Sequence, residues 1–228
     1  MSKITYDYME DYIRGLIPER TGTLKQIEDF ARENGVPIVQ KETGVFLEFM
    51  ANMKKPKRIL ELGTAVGFSS ILMYEAAGTN PDIVTIERDE RMIELAKVNL
   101  EKFNLSEKIK IQEGDCLEIL EKLEEPFDMI FMDAGKGHYN HFLPHCLRLL
   151  NEEGIIVADN VLFRGMVASQ ELVQRRKITI VKRMRTYLDL VTHDENLITS
   201  VIPMGDGIAV TKRRKWSIWQ IDWKNQKF

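Results

Sequence analysis

Arg58-Ile59-Leu60-Glu61-Leu62-Gly63-Thr64-Ala65-Val66-Gly67-Phe68-Ser69 is the stretch on which the reading of this chain turns. An apolar run of strand length ends in two glycines, Gly63 and Gly67, and a helical pattern opens at about Phe68. Glycine lets the backbone turn sharply and approach a ligand closely. The first turn of the following helix carries amides with no partner inside the helix, which suits the polar part of a ligand. The glycine spacing is not the GxGxxG of a nicotinamide site.

Working outward, β-rich runs at 58–62, 83–87, 109–112, 127–132 and 154–158 alternate with helical patterns. Such alternation implies a parallel sheet covered by helices on both faces. Two more strands, 197–202 and 208–211, are separated only by Pro203-Met204-Gly205-Asp206-Gly207. That connection reads as a hairpin, so one of the pair runs against the others. Upstream, residues 21–34 form a helical pattern with Thr21 as cap and Asn34-Gly35 as stop. A second pattern spans 41–53, with Val45, Phe46, Phe49 and Met50 on one face, and Pro56 closes it. The expected fold is α/β: a doubly wound, mostly parallel seven-stranded sheet with a C-terminal antiparallel hairpin and extra N-terminal helices. One domain covers 1–215, with helices in 1–55 and the sheet core in 56–215. Residues 216–228 form an extension of unassigned role.

The 228 residues, 44% hydrophobic and 29% charged, suit one sizeable core. Apolar runs are too short to span a bilayer, and the acidic, amphipathic N-terminus lacks the apolar centre of a signal peptide. Cys116 and Cys146 make neither a metal spacing nor a disulfide framework, so a reducing cytoplasm is expected. Net charge is −3, but unevenly spread. Between Arg164 and Arg185 stand seven basic residues and one acid, Glu171. A basic stripe on an acidic chain says more about partners than the total does.

In a doubly wound sheet, ligands bind at the carboxyl ends of the strands. Glu87 ends the second strand, where a carboxylate can accept from both hydroxyls of a ribose. Gly114-Asp115-Cys116 follows the third strand, Asp133-Ala134-Gly135-Lys136-Gly137-His138-Tyr139 the fourth, and Asp159-Asn160 the fifth. Asp133, Asp159 and Asn160 offer only oxygen ligands, which suit a hard ion such as Mg²⁺ or Mn²⁺. A divalent ion lowers the pKa of a bound hydroxyl and fixes its position. Lys136, three residues past Asp133, is placed to take the proton. His141 is expected on the next helix. Shaping of a pocket is open to His138, and Tyr139 is left undecided.

The Glu-Leu-Gly-x-x-x-Gly segment, the acid after strand two and the Gly-Asp-Cys after strand three resemble a class I methyltransferase, with its Rossmann-like fold. Asp-Ala-Gly-Lys-Gly-His-Tyr together with Ala-Asp-Asn-Val-Leu resembles the metal-dependent O-methyltransferases that include catechol and caffeoyl-CoA O-methyltransferases. The likeness covers roughly residues 40–212. It implies S-adenosylmethionine as methyl donor, with Glu61, Gly63, Ser69, Glu87, Asp115, Cys116 and Asp133 lining its pocket. It implies that Val39 meets the methionine part through its backbone, that Asp115 faces the adenine amino group, and that a base stands at Lys136. A homodimer is a further expectation from the family.

The acceptor is not fixed by the fold. Gln174-Arg175-Arg176-Lys177 and Lys182-Arg183-Met184-Arg185 are expected on one long helix, with Val173, Ile180, Met184, Tyr187 and Leu188 as its apolar stripe. Charges almost all of one sign exceed what a merely solvated helix needs. Arg164, four residues past Asn160, is placed to meet an anionic acceptor. The chain resembles bacterial tRNA 5-hydroxyuridine methyltransferases, which implies the tRNA anticodon loop as partner. Arg164, Arg175, Arg176, Lys177, Lys182 and Arg183 are then the tRNA-binding set. The alternatives are a small catechol-type or caffeoyl-CoA-type acceptor, or an RNA-binding module with a relic pocket. The intact set Asp133, Lys136, Asp159 and Asn160 argues against the last. Trp216, Trp219 and Trp223 are all the tryptophans of the chain. Packing on the body, contact with a partner subunit, and a dispensable extension are open to them; catalysis is expected not to need them.

Overall fold

In a computed structural model, residues 4–215 are described. Three helices lead: α1 (Asp7–Leu16), α2 (Gly22–Glu33) and α3 (Lys41–Lys54). The alternating part runs β1 (Arg58–Leu62), α4 (Phe68–Ala77), β2 (Asp82–Glu87), α5 (Glu90–Lys102), β3 (Ile109–Glu113), α6 (Cys116–Lys122) and β4 (Phe127–Met132). A 3-10 turn at Lys136–His138 precedes α7 (Tyr139–Leu149) and β5 (Leu150–Ala158). A second 3-10 turn at Arg175–Lys177 leads into α8 (Ile178–His193), and β6 (Leu197–Ile202) and β7 (Ile208–Arg213) close the sheet.

The seven strands lie in the order β3-β2-β1-β4-β5-β7-β6. Strands β1 to β5 pair in parallel, and β7 is antiparallel to both β5 and β6. Alternate residues of the central strands face opposite cores. Ile59, Phe131 and Val157 pack with α2, α3 and α4, while Leu60, Ile130 and Ile156 pack with α7 and α8. Burial on both faces explains why these strands read as continuous apolar runs. β1 lies between β2 and β4, so the chain reverses its winding there, and a crevice opens at the carboxyl ends of β1 and β4.

Four sequence expectations change. The inward face of α3 is Thr43, Gly44, Leu47, Met50 and Ala51, whereas Val45 is exposed and Phe49 is 61% exposed. Gly44 lies on that inward face, where an added Cβ would come 3.2 Å from the Arg20 guanidinium and 3.7 Å from Leu72 of α4. β5 begins at Leu150 rather than 154, because Leu150 pairs with Phe127 across an irregularity in the ladder. Thr21 precedes α2 but makes no side-chain cap. The long basic helix is in fact two elements, since α8 starts at Ile178 and Arg175–Lys177 form a separate turn. Its buried face is Val181, Met184, Tyr187 and Val191. Both cysteines are free, and among the described residues no helix is long and apolar enough to cross a membrane. The tryptophan-bearing extension lies outside the described residues.

Candidate active site

The crevice has two halves. One is built on the ends of β1, β2 and β3. Gly63 has φ +103°, and an added Cβ there would lie 3.0 Å from the Cβ of Ala134 and 3.2 Å from its backbone nitrogen. The chain leaving β4 crosses directly over Gly63, so only glycine fits. Gly67, at φ +79°, then starts α4. Glu61 is completely buried and accepts from the hydroxyls of Ser69, Ser70 and Thr85. Burial pushes its carboxyl up to about 6, and the three hydroxyls pull it back. A buried carboxylate needs donors, and the first turn of α4 provides two of them. Glu61 and Ser69 therefore brace the glycine loop from behind; the Glu61 carboxylate has no surface left to offer a ligand. Val39 is buried, in the segment that leads into α3.

Glu87 is held by three backbone amides: Ala65 at 3.0 Å, Arg88 at 2.9 Å and Asp89 at 3.0 Å. A carboxylate has about four acceptor positions, so the side chain is aimed and retains capacity for a hydroxyl. Gly114 N–H donates to the Glu87 carbonyl at 2.8 Å, which brings the third loop alongside. Asp115 is exposed, caps α6 through Leu117 N–H at 2.9 Å, and faces Arg88 at 3.8 Å. The half-buried Cys116 thiol is pushed up to about 12, by burial first and then by its neighbours Asp115 and Glu87. Glu87, Asp115 and Cys116, named from separate loops of the sequence, thus form one cluster.

The other half is built on β4 and β5. Asp133 N–H donates to Leu62 O and Asp159 N–H to Met132 O, each at 3.0 Å, so the ends of β1, β4 and β5 are laced together. Tyr139, completely buried, places its hydroxyl 2.8 Å from Met132 O and 3.1 Å from Asp159 O. Its role is structural, and nothing short of the fold could assign it. Asp159 is 2% exposed and accepts from Asn160 N–H at 2.6 Å. Asn160 sits at φ +60°, a conformation asparagine tolerates. The Asp159 carboxyl is held above the usual range by burial, then by Asp133 and, more weakly, by Asp206. Asp133 is raised by burial and by Glu61, against the pull of Lys136.

These two acids and Asn160 are the candidate metal ligands. Among the described residues no group of three or more His, Cys, Asp or Glu side chains is arranged for a metal. An oxygen-only set of two carboxylates and an amide fits Mg²⁺, which keeps several waters and takes few protein groups. A buried Asp159 carboxylate beside the half-buried Asp133 carboxylate is also the electrostatic setting that a dication relieves.

Lys136 is half-buried on its 3-10 turn, after Gly135 at φ +59°. The turn is docked on α8: Arg183 donates to Gly137 O at 3.1 Å, and an added Cβ on Gly137 would meet Ile180 at 3.4 Å. Arg183 is therefore spent partly on the protein itself. Arg185 is too, through Val167 O, Met166 O and Gln170. Arg164, Arg175, Arg176 and Lys182 remain exposed, and the Lys177 ammonium lies 5.9 Å from the centre of the Phe163 ring. His138 and His141 are exposed beside each other, with His141 on α7. Sequence reasoning missed Asp206. It saw Gly205-Asp206-Gly207 only as a turn, yet the Asp206 side chain accepts from Arg164 N–H in the loop after Asn160.

Comparison with known proteins agrees with this geometry. The O-methyltransferase family pattern matches residues 19–214. A catechol O-methyltransferase of Niastella koreensis is 34% identical over 176 residues, 75% of this chain and 80% of that protein. A caffeoyl-CoA O-methyltransferase of Eucalyptus gunnii is 25% identical over 95% of this chain and 92% of its own length. Among solved structures, an SAH-bound methyltransferase of Podospora anserina superposes with a TM-score of 0.83 at 26% identity, covering 92% of this chain and 95% of its own. With the glycine loop, the acid after β2 and the motifs after β4 and β5 in one crevice, this chain belongs to the O-methyltransferase family.

Proposed function

We propose that this S-adenosylmethionine-dependent O-methyltransferase acts with a divalent ion on an acceptor bearing two neighbouring oxygens, and that the acceptor is 5-hydroxyuridine at the tRNA wobble position. The product is 5-methoxyuridine. The observation that carries the acceptor reading is a set of exposed cations on the elements that flank the site. Arg164 is in the loop after the Asp159-Asn160 pair, Lys177 lies over Phe163, exposed Arg175 and Arg176 are on the turn before α8, and exposed Lys182 is on α8, against which the Lys136 turn is docked. Phosphates are the natural complement of such a surface. In 5-hydroxyuridine the C5 hydroxyl lies beside the C4 carbonyl, so both oxygens can face one ion, and a loop nucleotide is accessible without opening a duplex.

The reaction forms an O–CH₃ bond as the S–CH₃ bond breaks, and sulfur keeps the electron pair. A bound dication supplies a lowered hydroxyl pKa and a fixed oxygen position. The protein supplies the rest. Gly63 and the start of α4 hold the donor, Glu87 meets its ribose, and Lys136 receives the acceptor proton. The turn–α8 contact fixes Lys136 in place, because a nucleophile misaligned with the S–CH₃ axis reacts slowly.

Similarity to the Niastella koreensis catechol O-methyltransferase favours a second reading, a small catechol-type acceptor with the same pair of oxygens. Methyl transfer from labelled donor to 5-hydroxyuridine-containing tRNA, run beside a catechol panel, separates the two. Transfer to tRNA that falls steeply with salt supports the first, and efficient salt-independent transfer to catechols alone overturns it.

A further inference from the structure

We infer that Asp206, in the β6–β7 turn, is a positioning residue for the metal-ligand loop: its carboxylate oxygen, acting as an acceptor at a fixed place, holds the backbone that aims Asn160 and Arg164. The inference rests on the reading of Asp133, Asp159 and Asn160 as cation ligands.

The loop after β5 is strained. Asn160, Phe163 and Arg164 have φ of +60°, +43° and +56°, and Gly165 follows at +76°. Asparagine and glycine tolerate this region, but phenylalanine and arginine occupy it only where surrounding structure over-determines them. Here that structure is the turn between β6 and β7. Val161 N–H donates to Gly207 O at 2.9 Å and Leu162 N–H to Asp206 O at 3.0 Å. Arg164 N–H donates to Asp206 Oδ1. The first two bonds use backbone and survive any side-chain change. The third is the only one of the three that a side chain makes, and it lands on one of the strained residues. Gly207 shows how tightly the turn is seated, since an added Cβ would lie 2.4 Å from Leu162 Cγ and 2.8 Å from Leu162 N. Asp206 is 7% exposed, so water cannot readily replace its oxygen. Without that acceptor, Phe163 and Arg164 are released from the bond that holds them in the left-handed region, and Asn160 lies at the other end of the same short loop.

A carboxylate near Lys136 and Asp159 also brings plain negative charge toward the cation. Two substitutions tell the two roles apart. Asp206→Asn keeps an acceptor oxygen at the same place and removes the charge. Asp206→Glu keeps the charge and moves the oxygen by one methylene.

The test is Mn²⁺ binding to the purified protein in the presence of S-adenosylhomocysteine, followed by the paramagnetic resonance of free Mn²⁺, with hydrogen exchange over residues 160–165 on the same samples. Positioning predicts that Asp206→Asn binds within about threefold of wild type and that Asp206→Glu binds about tenfold or more weaker, the range for groups that orient ligands. It also predicts faster exchange at Arg164 in the Glu variant than in the Asn variant. Asp206→Ala should resemble Glu; if it does not fold, the Asn and Glu pair still decides. The reverse order, with Glu near wild type and Asn weakened, would overturn the inference in favour of charge. Equal binding and equal exchange in all variants would overturn it outright. Failure of the wild type itself to bind Mn²⁺ would remove the cation reading, and this inference with it.

Discussion

The two halves of the crevice differ in how complete they are on their own. On the donor side, at the ends of β1 to β3, the charged groups are matched within the protein. Glu61 has three hydroxyls, Glu87 has three backbone amides, and Asp115 caps a helix. On the acceptor side they are not. Asp159 is buried and its carboxyl is raised by burial and by the neighbouring half-buried Asp133, a short loop holds three non-glycine residues at positive φ, and four cations stand exposed. A site that satisfies itself is preorganised for a constant ligand. A site left with repelling acids on the inside and bare cations on the outside is completed by what binds there, which on the proposed function is a dication and an anionic acceptor.

That contrast can be broken most sharply at Lys136. If it receives the acceptor proton, Lys136→Ala lowers kcat by about 10²–10⁴-fold, the usual range for general-base catalysis. Donor and tRNA affinities should stay near wild type. Single-turnover kinetics with calorimetry decide, and a fall in affinity in place of kcat would move Lys136 to the binding surface.

Glu87→Ala probes the donor side. Losing hydrogen bonds to a charged acceptor costs about 1.5–3 kcal/mol, a weakening of S-adenosylmethionine of about 10- to 150-fold by calorimetry. Unchanged affinity would take Glu87 out of the site. The same change should leave Mg²⁺ binding alone, because Glu87 belongs to the self-satisfied half.

The charge imbalance at Asp159 makes a prediction about stability. Its folded pKa is raised above the unfolded value, so the folded state binds the proton more tightly. The penalty is then present above the folded pKa and disappears as pH falls through it toward the ordinary carboxylate range. Metal-free protein should therefore melt higher at pH 5 than at pH 8. Mg²⁺ at about 100 times its Kd should add about 2.7 kcal/mol, a rise in Tm of several degrees at pH 8 and less at pH 5. Asp159→Asn should remove both the pH trend and the Mg²⁺ shift. Melting curves that ignore pH and Mg²⁺ would show the acids to be compensated already.

The smallest effect is expected at the basic turn before α8. Replacing Arg175, Arg176 and Lys177 together with alanine should flatten the salt dependence of tRNA binding by about 0.7 in log–log slope for each single-strand phosphate that is no longer engaged. Donor binding should not change. Filter binding across a salt series measures it, and an unaltered slope would make these residues a solvated face.

The sequence alone determined the strand order's ingredients and the chemistry-bearing positions. Apolar runs of strand length and helical stretches are local patterns, so β1, β4 and β6 are legible to the residue, and the motifs after each strand follow because a parallel sheet gathers its carboxyl ends. Tertiary structure decided what those local patterns leave open. Which face of α3 turns inward depends on how the helix packs on α4 and the sheet, not on which residues are most apolar: Thr43 and Gly44 are buried while Val45 and Phe49 are exposed. Whether a cation is free or engaged depends on distant carbonyls: Arg183 reaches Gly137 and Arg185 reaches Val167, so a charge run that looked uniform splits into pins and bare surface. Asp206 reads as a turn residue by its glycine neighbours, and only the return of β7 alongside β5 brings it against the loop at Asn160. Hydrogen bonds between residues 42 positions apart leave no periodic trace in the chain; they exist once the sheet is closed.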